Sequence, residues 1–181
     1  QRKHERLPDL HVRSGKATLT IPPYAFVALE FIDRDSVLPP QNIARLATAS
    51  ASSYSMTGPG FGPESAVDGK SYTRWNSAAW TKSNGEEEQW IQLAWDSPRQ
   101  FTLVRIRWGE THATRYTIDV SDDGATWRTL ADVPEGKGDM EEFPVEPTST
   151  RYLRVHGKHG TRGISAYSIR ELEVYDLTGK Q

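Results

Sequence analysis

The chain lacks cysteine altogether and holds only two methionines in 181 residues, which excludes disulfides and thiolate-held metals. It also lacks a dominant charge, because 22 Lys and Arg stand against 24 Asp and Glu for a formal −2. Neutralising a phosphate backbone needs a surplus of cations, so nucleic acid is not an expected partner. Long apolar runs are missing too: none reaches the roughly 18 residues of a membrane-spanning helix. Helical periodicity is scarce, with no such stretch beyond about two turns, which argues against mainly parallel α/β folds. Abundant instead are ring-bearing and turn-forming residues: six Trp, seven Tyr, five Phe, fourteen Gly and eleven Pro. All six Trp, at positions 75, 80, 90, 95, 108 and 127, lie in the central part of the sequence.

At roughly 100 to 200 residues per domain, the length fits one domain with an extension. Composition divides the chain at Pro39-Pro40. Residues 1–38, with short strands expected over 10–13, 17–21 and 24–32, read as the last strands of a preceding β-domain or as an extension packed on the main one, and 39–41 as a stiff joint. The charged opening Gln1-Arg2-Lys3-His4-Glu5-Arg6 suggests a piece of a longer polypeptide. Residues 42–176 form the main domain and 177–181 a tail. Within it the pattern predicts eight strands, over 44–49, 89–95, 102–108, 115–121, 127–131, 140–145, 151–156 and 168–175, hence an all-β sandwich or barrel. Connections in such a fold alternate between its two ends. Tight turns at 96–100, 122–126 and 146–150 then share one end, and the long loops at 51–63, 76–88, 109–114, 134–138 and 157–167 share the other. The long-loop end is the expected functional end.

Motifs for catalysis are absent: no Gly-x-Ser-x-Gly elbow, His-Glu-x-x-His pair, Walker loop or dinucleotide fingerprint occurs. Gly58-Pro59-Gly60-Phe61-Gly62 has a proline where a phosphate loop needs an N–H, and Glu86-Glu87-Glu88 reads as a solvated loop. His156 and His159 have metal-like spacing but no third ligand close by. Asp68-Gly69 with Thr73 nearby reads either as a simple turn or as a hard-cation loop, since calcium accepts six to eight mixed oxygens. Sugars stack C–H faces on exposed rings. Trp80, in a stretch without apolar alternation, is either a loop anchor or such a platform, and Tyr54 and Phe61 face the same two readings. Trp90 and Trp95 read as flanking a core strand, and Trp108 as closing another.

Six ordered blocks carry a resemblance: Ala66-Val67-Asp68-Gly69, Thr73-Arg74-Trp75, Gln89-Trp90-Ile91-Gln92-Leu93, Val120-Ser121-Asp122-Asp123-Gly124 followed by Trp127, Arg151-Tyr152-Leu153-Arg154-Val155, and Ser168-Ile169-Arg170-Glu171-Leu172-Glu173-Val174-Tyr175. Over residues 42–176 they resemble the coagulation factor 5/8 type C (discoidin-like) domain, nearest to the bacterial family 32 carbohydrate-binding modules. The resemblance implies a jelly-roll β-sandwich of about eight strands with an N-terminal β extension, and a non-catalytic, monomeric binding role. It implies a structural calcium held by the Ala66 carbonyl, Asp68, Thr73 and Glu171, with Lys70 where an Asp or Asn is frequent. Sugar contacts are implied at the long-loop end, from Trp80, Tyr54, Phe61, His112, Arg162 and Tyr167. The His that follows the Thr-x-Trp block in galactose binders is replaced by Asn76-Ser77-Ala78, so galactose is not the expected sugar.

Residues 19–30 are similar to the last strands of the β-sandwich behind the catalytic barrel of several glycoside hydrolases. The expected role is therefore a module that holds a secreted or periplasmic bacterial glycoside hydrolase near a poly- or oligosaccharide. Two alternatives stand beside it: an adhesion domain that inserts Tyr54, Met56 and Phe61 into a protein or phospholipid surface, and a purely structural accessory domain.

Overall fold

Alternation of apolar and polar residues, repeated between turn-forming residues, places most of the chain in strands. The computed structural model describes residues 40–55, 60–79, 88–160 and 166–178. The chain divides into two units, Gln1–Ser36 and Val37–Gln181. The strands expected over 10–32 lie outside the described residues, as does Pro39 of the expected joint.

Among the described residues seven strands follow in chain order: β1 (Thr48–Ala51), β2 (Trp75–Asn76), β3 (Gln89–Trp108), β4 (Ala113–Ser121), β5 (Arg128–Val133), β6 (Met140–Gly160) and β7 (Ser168–Tyr175). All pairings are antiparallel, in the order β2-β7-β3-β6-β4-β5, with β1 on β3. The two long strands explain the sandwich. The first half of β3 lies between β1 and the second half of β6, whereas its second half lies between β7 and the first half of β6. Both strands thus pass from one layer to the other, and the sheet folds over itself as a jelly-roll sandwich.

This corrects the expected turns at 96–100 and 146–150. They are corners inside continuous strands: pairing skips from Ala94↔Tyr152 to Arg99↔Thr150, and the unpaired residues Asp96 to Pro98 let β3 bend. Eight expected strands therefore merge into fewer, longer ones. The strand expected over 44–49 also begins differently. Residues Ile43–Leu46 form a 3-10 turn because Asn42 Oδ1 accepts the Ala44 N–H at 3.1 Å, and the same oxygen accepts the Val174 N–H at 3.0 Å. Trp127 falls just outside β5, because the Asp123 carboxylate holds the preceding turn by accepting the N–H groups of Ala125 and Thr126 at 2.8 and 2.7 Å.

Ile91, Leu93, Leu153, Val155, Ile118 and Val120 of one layer face Val104, Ile106, Ile169, Leu172 and Val174 of the other, all essentially inaccessible. Trp75, Trp95 and Trp108 join this core. Trp90 does not, because it alternates with Ile91 and points to the opposite face of β3. Trp127 is likewise outside the core, with the Arg154 guanidinium 4.0 Å from its ring centroid and Tyr152 edge-on at 6.4 Å.

Candidate functional site

Ring-bearing loops converge near β2. Trp75 is buried and donates its Nε1–H to the Ser53 carbonyl at 2.9 Å, and Ser55 N–H and Asn76 N–H bond to Asn76 and Phe61 carbonyls. These bonds strap residues 52–55 and 60–61 to the strand. Tyr54 keeps 49% of its surface exposed. Phe61 lies half-buried beneath the Arg74 guanidinium, 5.2 Å from its centroid. Arg74 in turn meets Glu110 at 2.9 Å, and Glu110 meets Arg170 at 2.7 Å. The Glu110 carboxyl is held below its ordinary range by its own backbone N–H and by the two guanidiniums, against some desolvation. Sequence reasoning missed this trio, whose members lie 36 and 60 residues apart with no local pattern joining them.

The other expected contacts divide. His112 is half-buried, its ring 6.3 Å from Trp108. Tyr167 is a correction: it is 1% exposed, so no sugar can stack on it. Its backbone exchanges hydrogen bonds with Ser77, and its ring lies so close to Gly157 that an added Cβ there would stand 2.4 Å from it. The ring fills the space a side chain at 157 would need, which makes Tyr167 a core residue of the loop end. Trp80, Arg162 and Met56 lie outside the described residues.

A carboxylate braces the same end from within. Glu141 Oε2 accepts the Trp108 Nε1–H at 2.8 Å and the Tyr116 hydroxyl at 2.9 Å, and Oε1 accepts the Lys137 N–H at 3.2 Å. Trp108 and Tyr116 are core residues whose rings pack edge-on at 5.2 Å. Burial and the Glu141 carboxylate push the Tyr116 hydroxyl far above its ordinary range. Loop 134–139 is thereby tied to the core beside His112.

Of the expected calcium residues, Asp68 and Thr73 touch and Glu171 reaches the same loop. Ala66 ends a 3-10 turn (Pro63–Ala66) with no exposed surface, which leaves only its backbone as a ligand. Thr73 Oγ1 lies 2.9 Å from both Asp68 carboxylate oxygens and 3.1 Å from the Lys70 carbonyl. One hydroxyl proton cannot serve three acceptors, so the oxygens are crowded in the way a hard cation relieves. Glu171, buried 102 residues away in sequence, accepts the Gly69 N–H at 3.1 Å. Its carboxyl is pushed up to about 7, chiefly by burial and further by Asp68, partly offset by that N–H. Among the described residues no three His, Asp or Glu side chains converge. An ion would therefore rest on Asp68 and Glu171 with Thr73 and backbone carbonyls, a set that suits calcium. Lys70 is the departure from it, its ammonium 3.8 Å from Asp68.

A family model described as the F5/8 type C domain matches residues 47–172. Chitosan-binding module 1 of a chitosanase/glucanase from Paenibacillus sp. IK-5 is 35% identical, covers 76% of this chain and 99% of its own, and superposes with a TM-score of 0.66. Module 2 of the same enzyme, solved with chitotriose, is 29% identical over 74% and 99%, with a TM-score of 0.64. A module named CpGH89CBM32-5, from Clostridium perfringens, in complex with GalNAc-β-1,3-galactose, shares the fold at 22% identity, over 74% and 98%, with a TM-score of 0.62. No curated protein sequence matches the chain.

Proposed function

Because the chain belongs to the F5/8 type C domain family, we propose that it is a non-catalytic carbohydrate-binding module that takes oligo- or polysaccharide at the loop end around Tyr54, Phe61 and the Arg74–Glu110–Arg170 trio. The observation that carries this reading is the 35% identity across nearly the whole of a chitosan-binding module. Chemistry at the loop end supports it: the exposed Tyr54 ring, and Phe61 under the Arg74 guanidinium of the charged trio, suit a sugar, which offers C–H faces to rings and hydroxyls to carboxylates and guanidiniums.

Calcium belongs to the proposal as a structural ion, held by Asp68, Thr73 and Glu171 with backbone carbonyls. When bound it fixes the 66–73 loop and neutralises the buried Glu171. The module is part of a secreted or periplasmic glycoside hydrolase, which it keeps close to its substrate. Affinity between millimolar and micromolar, about −4 to −8 kcal/mol, suffices for that task, because tethering raises the effective concentration.

Titration of the full chain with glucosamine, N-acetylglucosamine and neutral plant oligosaccharides tests the reading. Weak binding of the neutral sugars that hardly changes with salt, and that falls in Tyr54→Ala and Trp80→Ala without loss of fold, is expected. Binding that persists in both variants refutes the placement of the site, and no binding to any glycan refutes the function.

A further inference from the structure

Between β4, the loop that follows β5 and the end of β6 lies an open groove of about 520 Å³, within the roughly 300–1,000 Å³ of small-ligand sites. Its walls are the start of β4, at Thr114 and Arg115, the loop at Glu135 to Lys137, and His159 near the end of β6. Packing forces this shape. A Cβ on Gly136 would stand 2.3 Å from the Ala113 carbonyl and 2.8 Å from the Tyr116 ring, so only glycine lets the loop lie this close to β4. The Gly136 N–H donates to the Thr114 carbonyl at 2.7 Å, and the Lys137 N–H is held by Glu141. His159 is fixed as well: its Nδ1 lies 3.3 Å from Thr114 Oγ1, which leaves Nε2 without a partner among the described residues.

The charges of this groove are uncommitted. Among the described residues neither Arg115 nor Lys137 makes an ion pair, whereas the neighbouring cations on the outer face of the same sheet are matched, Arg154 by Asp119 and Lys158 by Glu88. Two free cations and the unpartnered Nε2 of His159 therefore stand beside one carboxylate, Glu135.

We infer that this groove binds the anionic substituent of an acidic polysaccharide, a uronate carboxylate or a sulfate ester, through Arg115, Lys137 and His159. The inference rests on the carbohydrate-binding reading and adds a substrate class to it. A guanidinium matches a carboxylate or sulfate with two parallel N–H bonds, the ammonium adds a third contact, and His159 donates from Nε2 when that nitrogen carries the proton. Glu135 is left to accept hydroxyls of the same sugar. A nucleic acid fits less well, because the lining holds no Trp, Tyr or Phe for bases to stack on.

Affinity electrophoresis or calorimetry of the full chain tests this with polygalacturonate, alginate and dextran sulfate, each beside neutral dextran, chitotriose and a single-stranded oligonucleotide, at about 20 and 500 mM NaCl. Tighter binding of one or more acidic glycans than of dextran is expected, weakening with salt. Arg115→Gln with Lys137→Gln should lower it about tenfold or more while chitotriose binding and thermal stability stay unchanged. Uronate against sulfate preference separates the two sources. If the acidic glycans bind no better than dextran, or the double variant binds them equally well, the inference is overturned, and if the oligonucleotide binds as tightly, the glycan assignment is. Retained binding of neutral or amino sugars then leaves the carbohydrate reading standing, and loss of all glycan binding removes both.

Discussion

Glu141 gives the sharpest test of how the loop end is held. Replacing it by Ala removes the acceptor for two donors on core rings, Trp108 Nε1–H at 2.8 Å and Tyr116 O–H at 2.9 Å, and for the Lys137 N–H at 3.2 Å. A hydrogen bond to an ionised acceptor contributes about 1.5–3 kcal/mol, and a buried donor left unmatched costs about 1–3 kcal/mol. Glu141 itself is half-buried, so water enters where it stood and recovers part of both, leaving a net loss of about 3 kcal/mol. For a chain of this size each kcal/mol moves Tm by about 2–4 °C, which gives a fall of about 6–12 °C. Tyr116→Phe deletes one donor without creating an unmatched partner in the core and should lose only about 1 kcal/mol. Differential scanning calorimetry on the two single variants and the double variant reads the coupling directly. The two losses should fall short of additive by about 1 kcal/mol or more. Strict additivity, or a Tm change under about 2 °C in Glu141→Ala, refutes a working network at this position.

The remaining expectations concern the ion, pH and the rings. Adding calcium should raise Tm, EDTA should reverse it, and Asp68→Asn should abolish the response, while Lys70→Ser should strengthen binding by removing the ammonium 3.8 Å from Asp68. A Tm indifferent to calcium in the parent chain would sink the ion site. His156 is held below its ordinary value by burial and by Lys158, so the fold favours the neutral ring. Its contribution is therefore complete above about pH 6.5 and is lost as pH falls toward the depressed folded value. The stability of His156→Gln should accordingly decline less between pH 7 and 5 than that of the parent in urea titrations. Tyr167→Ala should cost about 3–5 kcal/mol, as for a large core ring, and should disturb every ligand equally, whereas Tyr54→Ala should leave Tm unchanged.

Much of the fold was legible because strand alternation is a local property. Ile91, Leu93 and Trp95, or Ile118 and Val120, announce a buried face within a few residues of chain, and the structure buries them. The merging of strands was not legible. Residues Asp96 to Pro98 and 146–150 look like turns in isolation, and only their pairing partners, Arg99 with Thr150 and Gln100 with Ser149, keep them inside bent strands. Polarity alone gives no guide at β6, where Met140 is 51% exposed while Glu141 turns toward Trp108 and Tyr116. A carboxylate accepts that position because two donors wait there, which no local pattern reveals.

The candidate site divides along the same line. Asp68, Gly69 and Thr73 lie within six residues, so their oxygen cluster could be read from spacing, and Glu171 could be added only through the family blocks. Tyr167 looked like a surface ring in a glycine-rich loop, but the bare backbone of Gly157 made room for it inside. The sequence by itself determined the all-β class and the core face of strands such as 89–95 and 115–121, since each follows from the order of residues along a short segment. Only the tertiary structure decided which rings stay exposed, how Arg74, Glu110 and Arg170 meet, and that Arg115, Lys137 and His159 share one groove. Those outcomes depend on which distant backbone atoms come within a few ångströms of each other, and strand pairing fixes that only once the whole sheet has folded over itself.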